Sequence, residues 1–517
     1  MAKKYDAVVC GAGNSGLAAA LQLSLAGKKT LLIEQHNLPG GSASSFRRGR
    51  FEIEPSLHEL CDVGSEKEPG EVRELFKEFG LKIRWNECPD CFRLVSKWTD
   101  TGEPMDVTMP AGIDNFINKM EEYVPGSKPK MKELFELFQE VLDTIYYISS
   151  SNGNPDSNYM KEHFPNTLRT GAYSTKKVFD AMGIPERCQN ILQTYWCYLG
   201  VNLERLGFVH YCAMVHKYVS RGAYIPTYTS HELSQAFIKR IRELGGDVWY
   251  NCRAEKFLFN GDKLCGVKTT LGDVECDFAL PNINPDIVYG KMVPKELVPE
   301  RQVKLANARA GKYGGRMITA YFCMDVPAEE LGISDYSIFM QGTADSVEAY
   351  KGLLEGGDAN QFAIFLCYNI ANPKASPDGT CICSFTTFAS PNDWNDLSQE
   401  DYFKQKQWWA EKFLKMLKEK ANIDLHGHIE EMSVASAWTF ARYLNTPEGS
   451  VYGHEASNWD GMMNRLQTLG ADYPIKGLRP IGAAGPRSLG YSATYLTGQM
   501  MARLALKDMK EWEGGDE

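Results

Sequence analysis

Tyr5-Asp6-Ala7-Val8-Val9-Cys10, Gly11-Ala12-Gly13-Asn14-Ser15-Gly16, Leu17 to Ala26, then Lys29-Thr30-Leu31-Leu32-Ile33-Glu34 is the stretch that decides the fold. It reads as an apolar strand, a G-x-G-x-x-G turn, an Ala/Leu-rich helix stopped by Gly27, and a second strand closed by an acid, which is a βαβ dinucleotide-binding unit. Gly11 permits the sharp turn, Gly13 the approach of a pyrophosphate, and Gly16 the close packing of helix on strand. The helix start offers free N–H groups and a positive dipole end. Glu34 is placed to accept hydrogen bonds from a ribose with a free 2′-hydroxyl. A signal peptide is the competing reading of Lys3-Lys4 and the apolar segment after them; Asp6 and the glycines interrupt its apolar run, and no small-residue cleavage site comes next.

Outward from this unit, 517 residues imply two or three domains, built in part from interleaved segments. With 43% hydrophobic and 24% charged residues the chain can bury a large core. A net charge of −10 without a basic block excludes nucleic acid as the main partner. No apolar run reaches the roughly 18 residues that span a bilayer, so a soluble, cytoplasmic protein is expected, with contact at a membrane surface as the most that composition admits. The fourteen cysteines are scattered, with close pairs only at Cys88/Cys91 and Cys381/Cys383. They read as free thiols in a reducing compartment rather than as metal ligands.

After Glu34, the run Gln35 to Phe46 is rich in Gly and Ser and forms a loop able to approach phosphate. Arg47, Arg48 and Arg50 then either neutralise that phosphate or make a solvated basic turn. A strand is expected at Phe51–Ile53, a helix over 69–80, strands over 83–109, two helices between 114 and 150 separated at Pro125 and Pro129, and a polar connection over 151–170. A helical region over 175–219 is rich in aromatic and Met side chains that line a cavity or simply fill core. Next come a helix from His231 to Leu244 and a β-meander whose Asn260-Gly261 is a hairpin signal. Strands are expected at Met317–Phe322, Ala363–Tyr368 and Cys381–Phe388. An amphipathic helix from Asp401 to about Ala421 carries Trp408, Trp409, Phe413, Leu414 and Leu417, and lies on a sheet or on a membrane surface. The tail repeats the opening theme: a strand ending in Gly482-Ala483-Ala484-Gly485, then Gly490-Tyr491-Ser492 opening an Ala/Met-rich helix, a second helix start suited to phosphate.

The opening unit, the Gly40-Gly41 doublet, Phe51-Glu52-x-x-Pro55-Ser56, Asn372-Pro373-Lys374-Ala375-Ser376-Pro377-Asp378-Gly379 and Asn445-Thr446-Pro447-Glu448-Gly449 resemble the phytoene desaturase, carotenoid isomerase and retinol saturase group of flavoproteins, from end to end of the chain. The resemblance implies an α/β fold: a Rossmann-like FAD-binding domain of glutathione-reductase/amine-oxidase type, from 1–85, 222–300 and 433–510. An interleaved α+β substrate domain would come from 86–221 and 301–432, with a polar tail at 511–517. It further implies non-covalent FAD and an apolar small-molecule substrate. Gly11, Gly13, Asn14, Ser15, Gly16, Glu34 and Gln35 would hold the adenosine diphosphate part. Gly41, Ser42 and Arg48 would sit by the pyrophosphate and Ala254 by the adenine, with Gly482, Gly490, Tyr491 and Ser492 near the ribityl chain and ring. Monomer and homodimer both stay open.

The chain departs from the family pattern at Glu52 and Glu54, at Thr227-Tyr228-Thr229 and at Arg487-Ser488-Leu489, where larger or polar groups replace small ones. That points to a substrate smaller or more polar than a C40 carotenoid. Glu54, raised in pKa by burial, is the first candidate for acid/base work and His58 the second; an ion pair with a nearby arginine is the competing role for Glu54. Tyr228 and Tyr491 are candidates to orient substrate or donate a proton. The expected activity is FAD-dependent desaturation, saturation or isomerisation at C=C bonds of a conjugated lipid. The alternatives are an amine or C–H oxidase, a fatty-acid double-bond isomerase, or a non-catalytic prenyl carrier like the GDP-dissociation inhibitors.

Overall fold

The computed structural model describes residues 4–470 and 475–514. The strands Tyr5–Cys10 and Thr30–Ile33 lie at the centre of a six-stranded sheet, flanked by Asp247–Trp249 on one side and by Gly272–Pro281, Lys263–Thr269 and Ala254–Asn260 on the other. Tyr5–Cys10 pairs in parallel with both neighbours, Val8 opposite Leu31 and Ala279. The Asn260-Gly261 turn closes an antiparallel meander at the far edge. Such central strands are covered on both faces, which is why they read as unbroken apolar runs.

The helix Asn14–Leu25 packs on this sheet and against the C-terminal helix Tyr491–Gly514. Their approach is backbone to backbone: a Cβ on Gly498 would come within 2.1 Å of the Ser15 carbonyl oxygen. The two ends of the chain are therefore joined at the helix start that the glycine turn exposes. The C-terminal helix continues to Gly514, into the expected polar tail, while 515–517 lie outside the described residues.

A seven-stranded sheet runs in the order Ile429–Ala435, Met317–Met324, Cys381–Phe388, Ala363–Cys367, Ser337–Met340, Phe92–Lys97, Pro104–Met109. Period-two alternation sends Ile318, Ala320, Phe322 and Met324 to one face, under Trp409, Phe413, Leu414 and Leu417 of the helix Gln399–Ala421. That helix lies on the sheet. Cys367, Cys381 and Cys383 come together in the same layer, their sulfurs within 4.8 Å of one another among Phe365 and Phe385, where they pack as small apolar groups. The other face, with Tyr321, Phe339, Ile364 and Leu366, turns to the main core.

Several sequence expectations need correcting. The two helices between 114 and 150 are present as Ile113–Tyr123 and Lys128–Ser150 with Pro125 in the break, but Pro129 lies in the first turn of the second, where its missing N–H costs nothing. The polar connection contains the short helices Ser157–His163 and Pro165–Thr170. The region 175–219 is four pieces, interrupted at left-handed Gly183 and Gly200. No strand precedes Gly482 among the described residues; Lys476 and Leu478 make isolated bridges to Lys263 and Ala279. Among the described residues no helix is long and apolar enough to cross a membrane.

Candidate functional site

The G-x-G-x-x-G turn forms one wall of a cleft of about 260 Å³. Gly11 has φ +103°, a conformation other residues rarely adopt, and a Cβ on Gly16 would lie 1.9 Å from the Gly11 carbonyl oxygen. The first helix has no side-chain cap at Gly13, so its leading N–H groups are left for whatever enters the cleft, and Asn14 Oδ1 is buried there without a partner. Glu34, Gln35 and Ala254 cluster around one part of this cleft. The Ala12 and His36 amides donate to the two oxygens of Glu34 at 2.7 and 2.8 Å. Burial raises the pKa of Glu34, and those N–H bonds partly offset the shift. Gly41 and Ser42 come from the loop opposite, and Gly482 from the C-terminal segment, its N–H donating to Ser15 Oγ at 3.0 Å. A glycine cradle, an uncapped helix start and an acid aimed at a ribose fit the adenosine diphosphate half of FAD.

This cleft runs into a second cavity of about 200 Å³; Asn14, Ser42, Val451, Ala483 and Thr494 line both. Gly490, Tyr491 and Ser492 lie on the second cavity. Tyr491 Oη is 2.9 Å from Ser56 Oγ, which donates to the Ser42 carbonyl, and Ser492 Oγ donates to the Cys61 carbonyl. His58 faces the same space, its Nε2 3.1 Å from Thr386 Oγ1. Burial lowers the His58 pKa to about 4, so the imidazole is neutral.

Beside His58 stands a residue that the sequence did not single out. Glu59 is 5% exposed, one carboxyl oxygen accepts the Tyr198 hydroxyl at 2.9 Å, and the other, Oε2, has no partner. Burial pushes its pKa up to about 8, the Tyr198 bond opposing only in part. Tyr218, whose hydroxyl donates to the Glu59 carbonyl, and Tyr198 complete an aromatic wall. A carboxyl group that is protonated at neutral pH and faces a largely apolar cavity is a proton store.

Three sequence candidates line neither the cofactor cleft nor the second cavity. Glu54 is buried, but its carboxylate accepts Ser230 N at 2.7 Å, Ser230 Oγ at 2.8 Å, Leu57 N at 3.1 Å and Ser56 N at 3.4 Å. It therefore caps the helix Ser230–Glu243 and the turn after Pro55, and no arginine is among these partners. Burial raises its pKa and the bonds to Ser230 pull the other way. Tyr228 is 58% exposed, on a separate cleft with Glu52 and Glu54. Arg48 is exposed, its guanidinium 5.0 Å over the Phe46 ring and bonded to the Arg47 carbonyl, away from the glycine turn. Arg47 pairs with Glu52, and Arg50 with Glu430. The short hairpin Phe46–Arg48/Phe51–Ile53 turns all three arginines outward.

The remaining wall comes from the helix Phe208–Arg221, which presents His210, Ala213, Met214, Lys217 and Tyr218 at helical spacing. Lys217 Nζ is 2.5 Å from Asp62 Oδ2 and 2.7 Å from Glu71 Oε2, and Arg487 holds Glu71 through both terminal nitrogens at 3.1 and 2.5 Å. Burial would raise the Glu71 pKa, but Arg487 and Lys217 hold it far below the usual carboxylate range. A lysine among His210, Ala213, Met214 and Tyr218 on one helix face was the signal available in the sequence for this network.

Comparison with known proteins agrees with this geometry. Residues 14–448 match the family model described as flavin containing amine oxidoreductase. The chain is 24% identical over 509 residues to all-trans-retinol 13,14-reductase of Danio rerio, covering 92% of this chain and 81% of that protein. It is 19% identical over 522 residues to the chloroplastic prolycopene isomerase of Daucus carota, covering 98% and 81%. A solved oxidoreductase from Methanosarcina mazei superposes with a TM-score of 0.64 at 14% identity, over 97% of this chain and 100% of that one. With most of its length under one family model and a glycine cradle at one end of a continuous cleft, this chain belongs to the flavin-containing amine oxidoreductase family, and its cofactor is FAD.

Proposed function

We propose that this enzyme adds, removes or shifts hydrogen at C=C bonds of an apolar, conjugated lipid of isoprenoid type, with Glu59 as the group that gives or takes the proton. The observation that carries the reading is the junction of the cofactor cleft with a cavity walled by Tyr198, Tyr218, Met214 and Leu489, in which Glu59 Oε2 has no partner. FAD, when bound, supplies the electron-pair acceptor or donor. Saturation of a C=C bond then needs a proton from the protein, desaturation needs one removed, and isomerisation needs one lent and recovered. Glu59 can hold that proton near pH 7, Tyr198 fixes the carboxyl through its other oxygen, and the aromatic wall excludes water from the exchange. The relatives named for retinol reduction and prolycopene isomerisation act on conjugated isoprenoids, in line with this chemistry.

An amine substrate suits the cavity less well, because Lys217 and Arg487 are on its wall and a protonated Glu59 offers no counter-charge to an ammonium group. The test is anaerobic mixing of oxidised or photoreduced holoenzyme with carotenes, retinoids, unsaturated fatty acids and sterols. Bleaching or reoxidation of the flavin bands, or new geometric isomers by chromatography, is expected with a conjugated lipid. No response from any of them would reject the reading, and a colourless protein that takes up no FAD would favour a carrier instead.

A further inference from the structure

The second cavity is not uniformly apolar: two buried cations reach its wall. The stripe His210, Ala213, Met214, Lys217 and Tyr218 brings a buried ammonium to the wall, and the loop before the C-terminal helix brings the Arg487 guanidinium. Both cations are more than nine-tenths buried. A catalytic centre working on hydrocarbon has no need of either, and burying charge is costly unless it is paired.

The pairing balances the charge on the wall and leaves donor capacity spare. On the wall, Lys217 and Arg487 face two carboxylates, Asp62 and Glu71, and Arg221, partly exposed and off the cavity, reaches Asp62 from outside. The third acid nearby, Glu59, keeps its proton at neutral pH and adds no negative charge. An ammonium also has three N–H donors, and Lys217 uses two, on Asp62 and Glu71. His210, on the same stripe, has Nδ1 buried without a partner, and burial keeps its ring neutral. The wall thus offers buried cationic donors inside a space that Met214, Leu489, Leu496 and Tyr218 also line.

Resting on the lipid reading, we propose that the substrate is an amphiphile, a conjugated apolar chain ending in a carboxylate that binds against Lys217 and Arg487. One carboxylate can take the spare N–H of Lys217, whereas a diphosphate would bring more negative charge than two cations already facing two acids can balance. A planar carboxylate also suits a guanidinium. Anchored there, the chain would extend past Tyr218 towards Glu59 and the cofactor cleft. A fixed head group sets which C=C bond meets the reacting centre, so the same contact would govern regiochemistry.

The test uses FAD-loaded protein and matched ligands that differ only at the head: all-trans-retinoic acid, retinol and methyl retinoate, and a conjugated C18 dienoic acid with its methyl ester. Dissociation constants come from perturbation of the flavin spectrum and quenching of tryptophan fluorescence at pH 7. Each acid is expected to bind about tenfold or more tighter than its methyl ester, the worth of one charge-assisted hydrogen bond, with retinol between. In Arg487→Gln, chosen because Lys217 still neutralises Glu71, the acid preference shrinks; flavin content reports whether the variant is folded, and the wild-type comparison stands without it. Equal affinity for acid and ester overturns this inference and leaves the lipid reading in place, as does an unchanged preference in folded Arg487→Gln. Binding of none of the ligands removes the lipid reading, and this inference with it.

Discussion

Glu59→Gln lowers turnover by roughly 10²- to 10⁴-fold, the usual worth of a positioned acid or base, while making the folded protein more stable. The opposed effects have one cause. Burial moves the Glu59 pKa from 4.5 to about 8. Below pH 4.5 the group is protonated in both folded and unfolded chains and contributes nothing. As pH rises from 4.5 to 8 the unfolded chain releases this proton and the folded one keeps it, so stability falls steadily over that window, by about 3 kcal/mol at pH 7. A glutamine does not titrate and escapes the penalty. It can still accept the Tyr198 hydroxyl, and its amide N–H groups stand where the protonated carboxyl already leaves a donor unpaired. Thermal unfolding of the two holoproteins between pH 4 and 9 should therefore diverge as pH rises. Turnover of wild type in the proton-returning direction should fall above about pH 8, and in the proton-removing direction below it. Parallel unfolding curves, or a variant that keeps wild-type turnover, would remove Glu59 from the chemistry.

How much of this was legible in the sequence depended on where each constraint originates. The Gly11–Gly16 turn could be read because the need for a missing Cβ arises within six consecutive residues. The Asn260-Gly261 hairpin and the helix Gln399–Ala421 were likewise set by local turn chemistry and periodicity. Ser337–Met340 was missed because its support is remote: Ile338 pairs in parallel with Arg93 across the sheet, and no turn residue announces the crossover. The acids show the same division more sharply. Glu54 and Glu59 lie five residues apart in one irregular stretch, and nothing local distinguishes their roles. Ser230, 176 residues further on, takes up the carboxylate of Glu54, while Tyr198, 139 residues from Glu59, leaves it one free oxygen in a cavity. Arg48 misled for a related reason: proximity in sequence to a phosphate loop says nothing about which way a three-residue strand points its side chains.

Gly16→Ala should purify folded but colourless, with affinity for FAD lowered about a hundredfold or more. The added Cβ would stand 1.9 Å from the Gly11 carbonyl oxygen, and neither atom belongs to a side chain that can rotate away. The clash is relieved only by lifting the helix Asn14–Leu25 off the turn. That displaces the N–H groups of Asn14 and Ser15 from the cleft and breaks the register in which Gly482 N–H reaches Ser15 Oγ. Overpacking of this kind costs about 1–3 kcal/mol in a well-packed core, and here the strain falls on the backbone that must meet the pyrophosphate, so about 3 kcal/mol of binding is at stake. Gly27→Ala is the control: its φ is +75°, but an added Cβ would meet nothing within 4 Å. It should lose about 1 kcal/mol of stability through backbone strain and keep its flavin. Flavin-to-protein ratio after purification and calorimetric titration of the stripped proteins with FAD separate the two cases. Stoichiometric flavin in Gly16→Ala would mean that the cofactor is held by other elements, and that the Gly11–Gly16 turn serves only to pack helix on strand.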